Sequence, residues 1–292
     1  MADRQWAGTT FGNGWLLRSL IRSLRFLNVR ILYLGAYVLV VPVCLVLNNS
    51  RRTSYAFYRQ RIGYGRLKSA LMVYANHCRF AEVVVDRFAM YAGRKFKITV
   101  EGLENFNERA AKPEGFLHMS AHIGNYEIAG YSLVSDRKRI HAVVFEHEKA
   151  TVMENRNNMF TRTNIDMIAL KSDMSHLFEI DAALTRGDIV SFPTDRFMGQ
   201  TKFLEIELLG AMAKVPQGPF SVATMRGLDV LAVNVMKEGW TRYRIYVTPL
   251  DYDRTAPRKE QIRQLSQAFA AELEKRVRQY PSQWYNFYDF WN

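Results

Sequence analysis

Gly115–Glu127 reads GFLHMSAHIGNYE. Its first six residues, Gly115–Ser120, form a short apolar run of strand type. Gly124 then permits a tight turn or a close backbone approach, and Asn125 is placed as a helix N-cap. A helical pattern follows over Asn125–Val134, with Glu127 in its first turn. Strand, loop and helix in this order form half of a βαβ unit, and the alternation continues through the chain. Further strand-type runs are Phe96–Val100, Ile140–Phe145, Met167–Leu170, Asp188–Phe192, Phe203–Leu209, Val230–Val235 and Arg242–Val247. Helical patterns cover Ala150–Phe160, Met174–Arg186, Pro219–Arg226 and Lys259–Tyr280. In the last of these, Ile262, Leu265, Phe269, Leu273 and Val277 step by three or four. The expectation is an α/β fold with a central, mostly parallel or mixed sheet flanked by helices.

The part before Gly93 differs in kind. From Arg4 to Ala81 there are twelve Lys or Arg and no Asp or Glu, while the rest of the chain is balanced, so this quarter carries the whole net charge of +12. Within it, Ile31–Ser50 (ILYLGAYVLVVPVCLVLNNS) is free of charge, and about 20 helical residues span a bilayer core. Pro42 kinks such a helix, which membrane helices tolerate. Arginines flank the run on both sides, which leaves a true span and a helix lying in the membrane interface both open. A buried core helix is the bland alternative. Residues 12–27 read as a basic amphipathic helix, and residues 51–92 as one or two helices broken near Gly63 and Gly65. The division expected is an anchor segment over 1–50 and an α/β domain over 51–292.

These features exclude several classes. Basic residues around an apolar run, with no nucleic-acid motif, point to anionic lipid rather than to nucleic acid. Cys44 and Cys78 have no zinc or redox spacing, a reducing compartment fits them, and no metal site is expected. The aromatic tail YPSQWYNFYDFWN has two readings, packing onto the sheet domain or anchoring at a membrane interface.

Four of the six histidines have an acid five residues later: His77 with Glu82, His122 with Glu127, His141 with Glu146 and His176 with Asp181. Five residues along a helix turn through roughly 500°, so side chains at that spacing sit about 140° apart. That separates the His77 and His176 pairs. His141 and Glu146 bracket a strand, where an odd separation points to opposite faces. Only His122 lies in a strand-to-helix loop, which can curl back onto Glu127. The loop also falls at the carboxyl end of a strand, where α/β sheets commonly bind ligands.

The motif His122, Gly124, Asn125, Tyr126, Glu127 resembles the signature of the lipid A biosynthesis (late lauroyl/myristoyl) acyltransferase family, within the lysophospholipid-acyltransferase-like superfamily. Arg186–Gly199 (RGDIVSFPTDRFMG), Leu208–Gly227 (LLGAMAKVPQGPFSVATMRG) and the closing PSQWYNFYDFW are similar to further family segments. Departures occur at Phe145–Ala150 (FEHEKA), where the family has Arg-Pro, and at Leu208-Leu209-Gly210, where it has Phe-Phe-Gly. The resemblance implies a glycerolipid-acyltransferase-like fold behind an N-terminal membrane-anchor helix. The implied reaction moves a fatty acyl group from acyl carrier protein or CoA, a co-substrate rather than a bound cofactor, to a hydroxyl of a lipid A precursor or related glycolipid. It implies work at the cytoplasmic face of a bacterial inner membrane, with membrane lipids as partners.

On this reading His122 is the general base, Glu127 orients it, and no acyl-enzyme is required, with Ser120 the nucleophile to exclude. Backbone N–H groups at Gly124 and Asn125, or Arg162, or Arg196, are candidate oxyanion donors. Asp195 positions the acceptor or an arginine, or merely forms the turn after Pro193. Two other readings stay open: another acceptor (an aryl-polyene, ornithine or glycine lipid), and a non-catalytic membrane-anchored lipid-binding protein. A lipid or thioester hydrolase is the rival reaction.

Overall fold

The charge-free run is helical in the computed structural model, which describes residues 19, 21–24, 26–145, 164–171, 173–196, 202–288 and 290–291. Helix α1 (Val29–Leu47) has a mean hydropathy of 2.2 over its most apolar window, of which 17% is buried, and is long and apolar enough to cross a membrane. Ile31, Leu34, Val38, Leu39, Val46 and Leu47 are exposed. Pro42 has no N–H and its ring crowds the carbonyl four residues back. That carbonyl belongs to Val38, and the helix widens there into a π turn over Ala36–Val40.

Helix α2 (Ser50–Ala56) runs into another π turn, and the chain breaks at Gly63, whose φ is 81°. Helix α3 (Arg66–Tyr91) follows, as the glycine pair predicts. Residues 12–27 lie mostly outside the described part.

Then come β1 (Lys97–Glu101), α4 (Leu103–Ala111), β2 (Phe116–Ser120), a 3-10 turn (Tyr126–Ile128) with the short α5 (Ala129–Ser132), β3 (Ile140–Phe145), β4 (Ile165–Leu170), α6 (His176–Thr185) and β5 (Ile189–Pro193). The remainder is β6 (Phe203–Leu208), β7 (Ala211–Pro216), α7 (Gly218–Arg226), β8 (Val230–Lys237), β9 (Arg242–Pro249) and α8 (Arg258–Gln279). Seven strands form one sheet in the order β1-β9-β8-β2-β5-β3-β4, parallel except where β8 meets β9. The fold is therefore mixed α/β, as expected. Strand β8 is buried along its whole length, which its apolar run without alternation requires. Phe106 of α4 packs on Phe116 on one side of the sheet, and Phe220 of α7 packs on Phe269 of α8 in the other core layer.

Three elements depart from the sequence reading. Helix α4 is short and carries three charged side chains, and only Phe106 and Ala110 are buried, so its period is faint. Leu208–Gly227 is not a loop entering a helix throughout. Leu209 (φ 52°) and Gly210 (φ 74°) make a two-residue turn between β6 and β7, the backbone that favours a tight hairpin. The helical pattern Asn125–Val134 shrinks to the 3-10 turn and α5. The pattern Ala150–Phe160 lies outside the described residues. The aromatic tail packs onto the domain: Trp284, Tyr285 and Phe290 are all buried, and Trp284 bridges to Ile123.

A buried cluster of ions joins α1, α3 and the sheet. Lys237, at the end of β8, is 3% exposed. Its ammonium pairs with Asp86 and lies 3.3 Å from Glu82, both on α3. Tyr33 and Tyr37 of α1 donate hydrogen bonds to Asp86 and Glu82. Removing one member of such a cluster strands the opposite charge in a dry interior. Lys237→Met is expected to destabilise the fold by roughly 3–5 kcal/mol, read as a lowered thermal midpoint in detergent.

Candidate active site

The loop after β2 is fixed by backbone hydrogen bonds to three other segments. Thr194 N–H donates to Ser120 O (2.8 Å), Tyr285 N–H to His122 O (3.0 Å), Gly124 N–H to Gln283 O (2.7 Å) and Asn125 N–H to Val235 O (2.9 Å). Gly124 has φ +58°, and a Cβ there would lie 1.8 Å from Val235 O. Only glycine fits, so this motif position is set by the close approach of the loop to β8.

Strands β2 and β5 are parallel neighbours with Ser120 opposite Pro193. Two residues beyond each strand end come His122 and Asp195, and the structure brings them together. His122 Nδ1 is 2.7 Å from Asp195 Oδ1, and the His122 backbone N–H donates to Asp195 Oδ2 (2.9 Å). Trp284 Nε1 donates to the same Oδ2 at 3.3 Å. Asp195 is fully buried, while the His122 side chain keeps 19% of its surface exposed. With Nδ1 engaged, Nε2 is the ring nitrogen left to a substrate.

The expected contact between Glu127 and His122 is replaced by this one. Glu127 is buried, with Oε1 2.9 Å from Arg87 Nε and Oε2 accepting from Tyr91 OH at 2.9 Å. The physical reason is competition: a cationic guanidinium is a stronger partner for a buried carboxylate than a neutral imidazole. Both partners come from α3, far away in sequence. Two other spacings behave as predicted: His77 bonds Ser50 and Val73 rather than Glu82, and His176 accepts from Lys171 N–H rather than meeting Asp181. His141 pairs with Asp188, and its predicted counterpart Glu146 lies outside the described residues.

The family model described as bacterial lipid A biosynthesis acyltransferase matches residues 80–292, which contain the whole site. The chain belongs to this family. It is also similar to the crystal structure of the 1-acyl-sn-glycerophosphate (LPA) acyltransferase PlsC from Thermotoga maritima, with a TM-score of 0.42 and 14% identity, over 93% of this chain and 99% of that chain. No curated protein sequence matches it.

In this acyltransferase the remaining predicted residues divide as follows. Asn125 does not cap the helix with its side chain, although it is buried. The N–H groups of Gly124 and Asn125 are both committed to carbonyls, so neither is free to meet an oxyanion. Arg162 lies outside the described residues. Arg196 donates to Tyr285 O and stacks 5.5 Å from the Tyr288 ring centre. Its Nε is buried and has no hydrogen-bond partner among the described residues. Ser120 Oγ donates to Phe192 O at 3.3 Å.

Burial pushes the His122 pKa below the usual imidazole value, and Arg196 and Arg87 push the same way against the pull of Asp195. Burial alone would raise Asp195, yet the charge and hydrogen bonds of His122, with Arg196, hold it down at about 2. The site thus keeps a neutral imidazole beside an ionised carboxylate near pH 7. Gly124→Ala is expected to abolish activity and lower the thermal midpoint, because the backbone of β8 must move to admit the methyl. A wild-type midpoint in that variant would show that the loop is not held as described.

Proposed function

We propose that this acyltransferase moves a fatty acyl group from the thioester of acyl carrier protein or CoA to a hydroxyl of a lipid A precursor or related glycolipid. The observation that carries the mechanism is the His122–Asp195 pair at the ends of two adjacent strands. Asp195 holds the proton on Nδ1 and leaves Nε2 as the base, the arrangement of a serine triad without its serine. The acceptor hydroxyl loses its proton to Nε2 while its oxygen attacks the thioester carbonyl. Asp195 then stabilises the imidazolium. The Arg196 guanidinium, close enough to lower the His122 pKa, sets positive charge against the negative charge on the carbonyl oxygen. Collapse forms the ester, breaks the carbon–sulfur bond, and returns the proton from His122 to the departing thiolate.

Glu127 acts at one remove. It neutralises Arg87, which otherwise depresses the basicity of His122 further. Ser120 takes no covalent part, since its hydroxyl serves β5. The exposed apolar face of α1 and the basic N-terminal quarter support work at a membrane, and we place the enzyme at the cytoplasmic face of a bacterial inner membrane.

His122→Ala and Asp195→Asn should each lower kcat by about 10²–10⁴, and together by little more than either alone. Ser120→Ala should stay active. Near-full turnover in either of the first two variants, measured with purified enzyme and an acyl thioester donor, sinks the mechanism. The pH profile tests the electrostatics. A base must be neutral, so the rate falls as pH drops through its pKa. The acidic limb of kcat/KM should lie below the ordinary histidine value of about 6.5, and Glu127→Gln should move it lower still. A limb at or above that value would refute the role given to Arg87 and burial.

A further inference from the structure

A cavity of about 450 Å³ lies between the apolar helix and α3, apart from the His122 loop. This is within the roughly 300–1,000 Å³ range of small-molecule sites. Tyr37 of α1, Tyr74 and Ala75 of α3, and Trp240 from the β8–β9 turn line it. Its polar members are already satisfied. Glu82 takes the Tyr37 hydroxyl, Arg79 at 2.9 Å and Lys237 at 3.3 Å, so the floor has no unmatched charge for a cation or a polar headgroup.

The mouth is different. Arg30 lies over the Trp240 ring at 5.6 Å, and Arg242 lies beside Gly239, a lining residue. Both arginines are exposed, and neither makes an ion pair among the described residues. Tyr74 (40% exposed) and Trp240 (49%) stand at the rim with apolar rings and polar tips, the residue types that collect at the level of lipid headgroups. Tyr37, which lines the cavity, is followed in α1 by the exposed Val38 and Leu39.

We propose that this cavity binds one acyl chain of an anionic membrane phospholipid, with the phosphate held at the mouth by Arg30 and Arg242. An apolar chamber with a saturated floor suits hydrocarbon. Two exposed guanidiniums at its entrance select a negative headgroup over a neutral one. The bound lipid is a resident that fills the seam between α1 and the catalytic domain, not a reactant. The proposal rests on the membrane placement given above, and its test reads lipid binding rather than acyl transfer.

The full chain, extracted in mild detergent, is incubated with phosphatidylglycerol or phosphatidylcholine and examined by native mass spectrometry. One phosphatidylglycerol should bind and persist, and phosphatidylcholine should bind more weakly. Ala75→Trp, which fills the chamber, should remove the adduct. The exposed pair Arg30→Gln with Arg242→Gln, which removes both charges and keeps side chains of similar length over Trp240 and Gly239, should weaken it on the order of tenfold. Equal binding of both lipids, or adducts unchanged in the arginine double variant, overturns the proposal. So does a shift in the chain length of the transferred acyl group in Ala75→Trp, because the cavity would then hold the substrate's chain. Inactive enzyme that still binds the lipid would leave the proposal standing while removing the catalytic one.

Discussion

Asp195 is the carboxylate on which the site depends. One oxygen takes the imidazole of His122 and the other takes the backbone N–H of the same residue, so position and tautomer are fixed together. A fully buried carboxylate is costly unless its acceptors are filled, and Trp284 fills the remaining direction from the C-terminal tail. The tail is thus structural for chemistry that lies more than 80 residues earlier in the chain. Its aromatic character follows from this: Trp284 contributes a large apolar body to the core and one N–H to the site.

The pairing of two parallel strands places these groups. Adjacent parallel strands carry residues at equal distance past their ends side by side, and Ser120 opposite Pro193 puts position 122 against position 195. This explains which parts of the site were legible in the sequence. The strand, the glycine turn and the histidine are local features, and they appear in Gly115–Asn125 without further help. The histidine's partner is decided by which strand lies next to β2. That is a tertiary fact, since β5 is about 70 residues away and β3 and β4 intervene in sequence. Glu127, close in sequence, was the natural choice, but α3 brings Arg87 and Tyr91 to it. The PTDR turn did signal Asp195, as a residue following Pro193, without indicating what it faced.

The same distinction runs through the fold. Strands with continuous apolar runs are legible in the sequence to within a residue or two, because burial on both faces writes itself into composition. Helix α4 and strand β7 escaped. The first buries only two side chains, and in the second the turn at Leu209 and Gly210 needs a positive φ at a residue that is not glycine. The charge asymmetry was plain in the sequence, but not its consequence. Two of the first acidic residues after the basic quarter, Glu82 and Asp86, are drawn inside with Lys237 and two tyrosines of α1. The apolar helix is therefore joined to the sheet by buried ions rather than tethered by a flexible linker.

That junction bears on catalysis through geometry. Helix α3 carries both sets of contacts on one rigid element: Glu82 and Asp86 toward α1 and Lys237, then Arg87 and Tyr91 toward Glu127. Asp86 and Arg87 are consecutive, so a shift of α1 that moved Asp86 would carry the Arg87 backbone with it. The Arg87 charge is among those that keep His122 unprotonated, and a point charge acts over distance with a strength set by its position. The contacts to the apolar helix and those to the Arg87–Glu127 pair therefore sit within a few turns of a single helix. On the function proposed above, the apolar helix that would meet the bilayer is continuous, through α3, with the charges around the His122 imidazole.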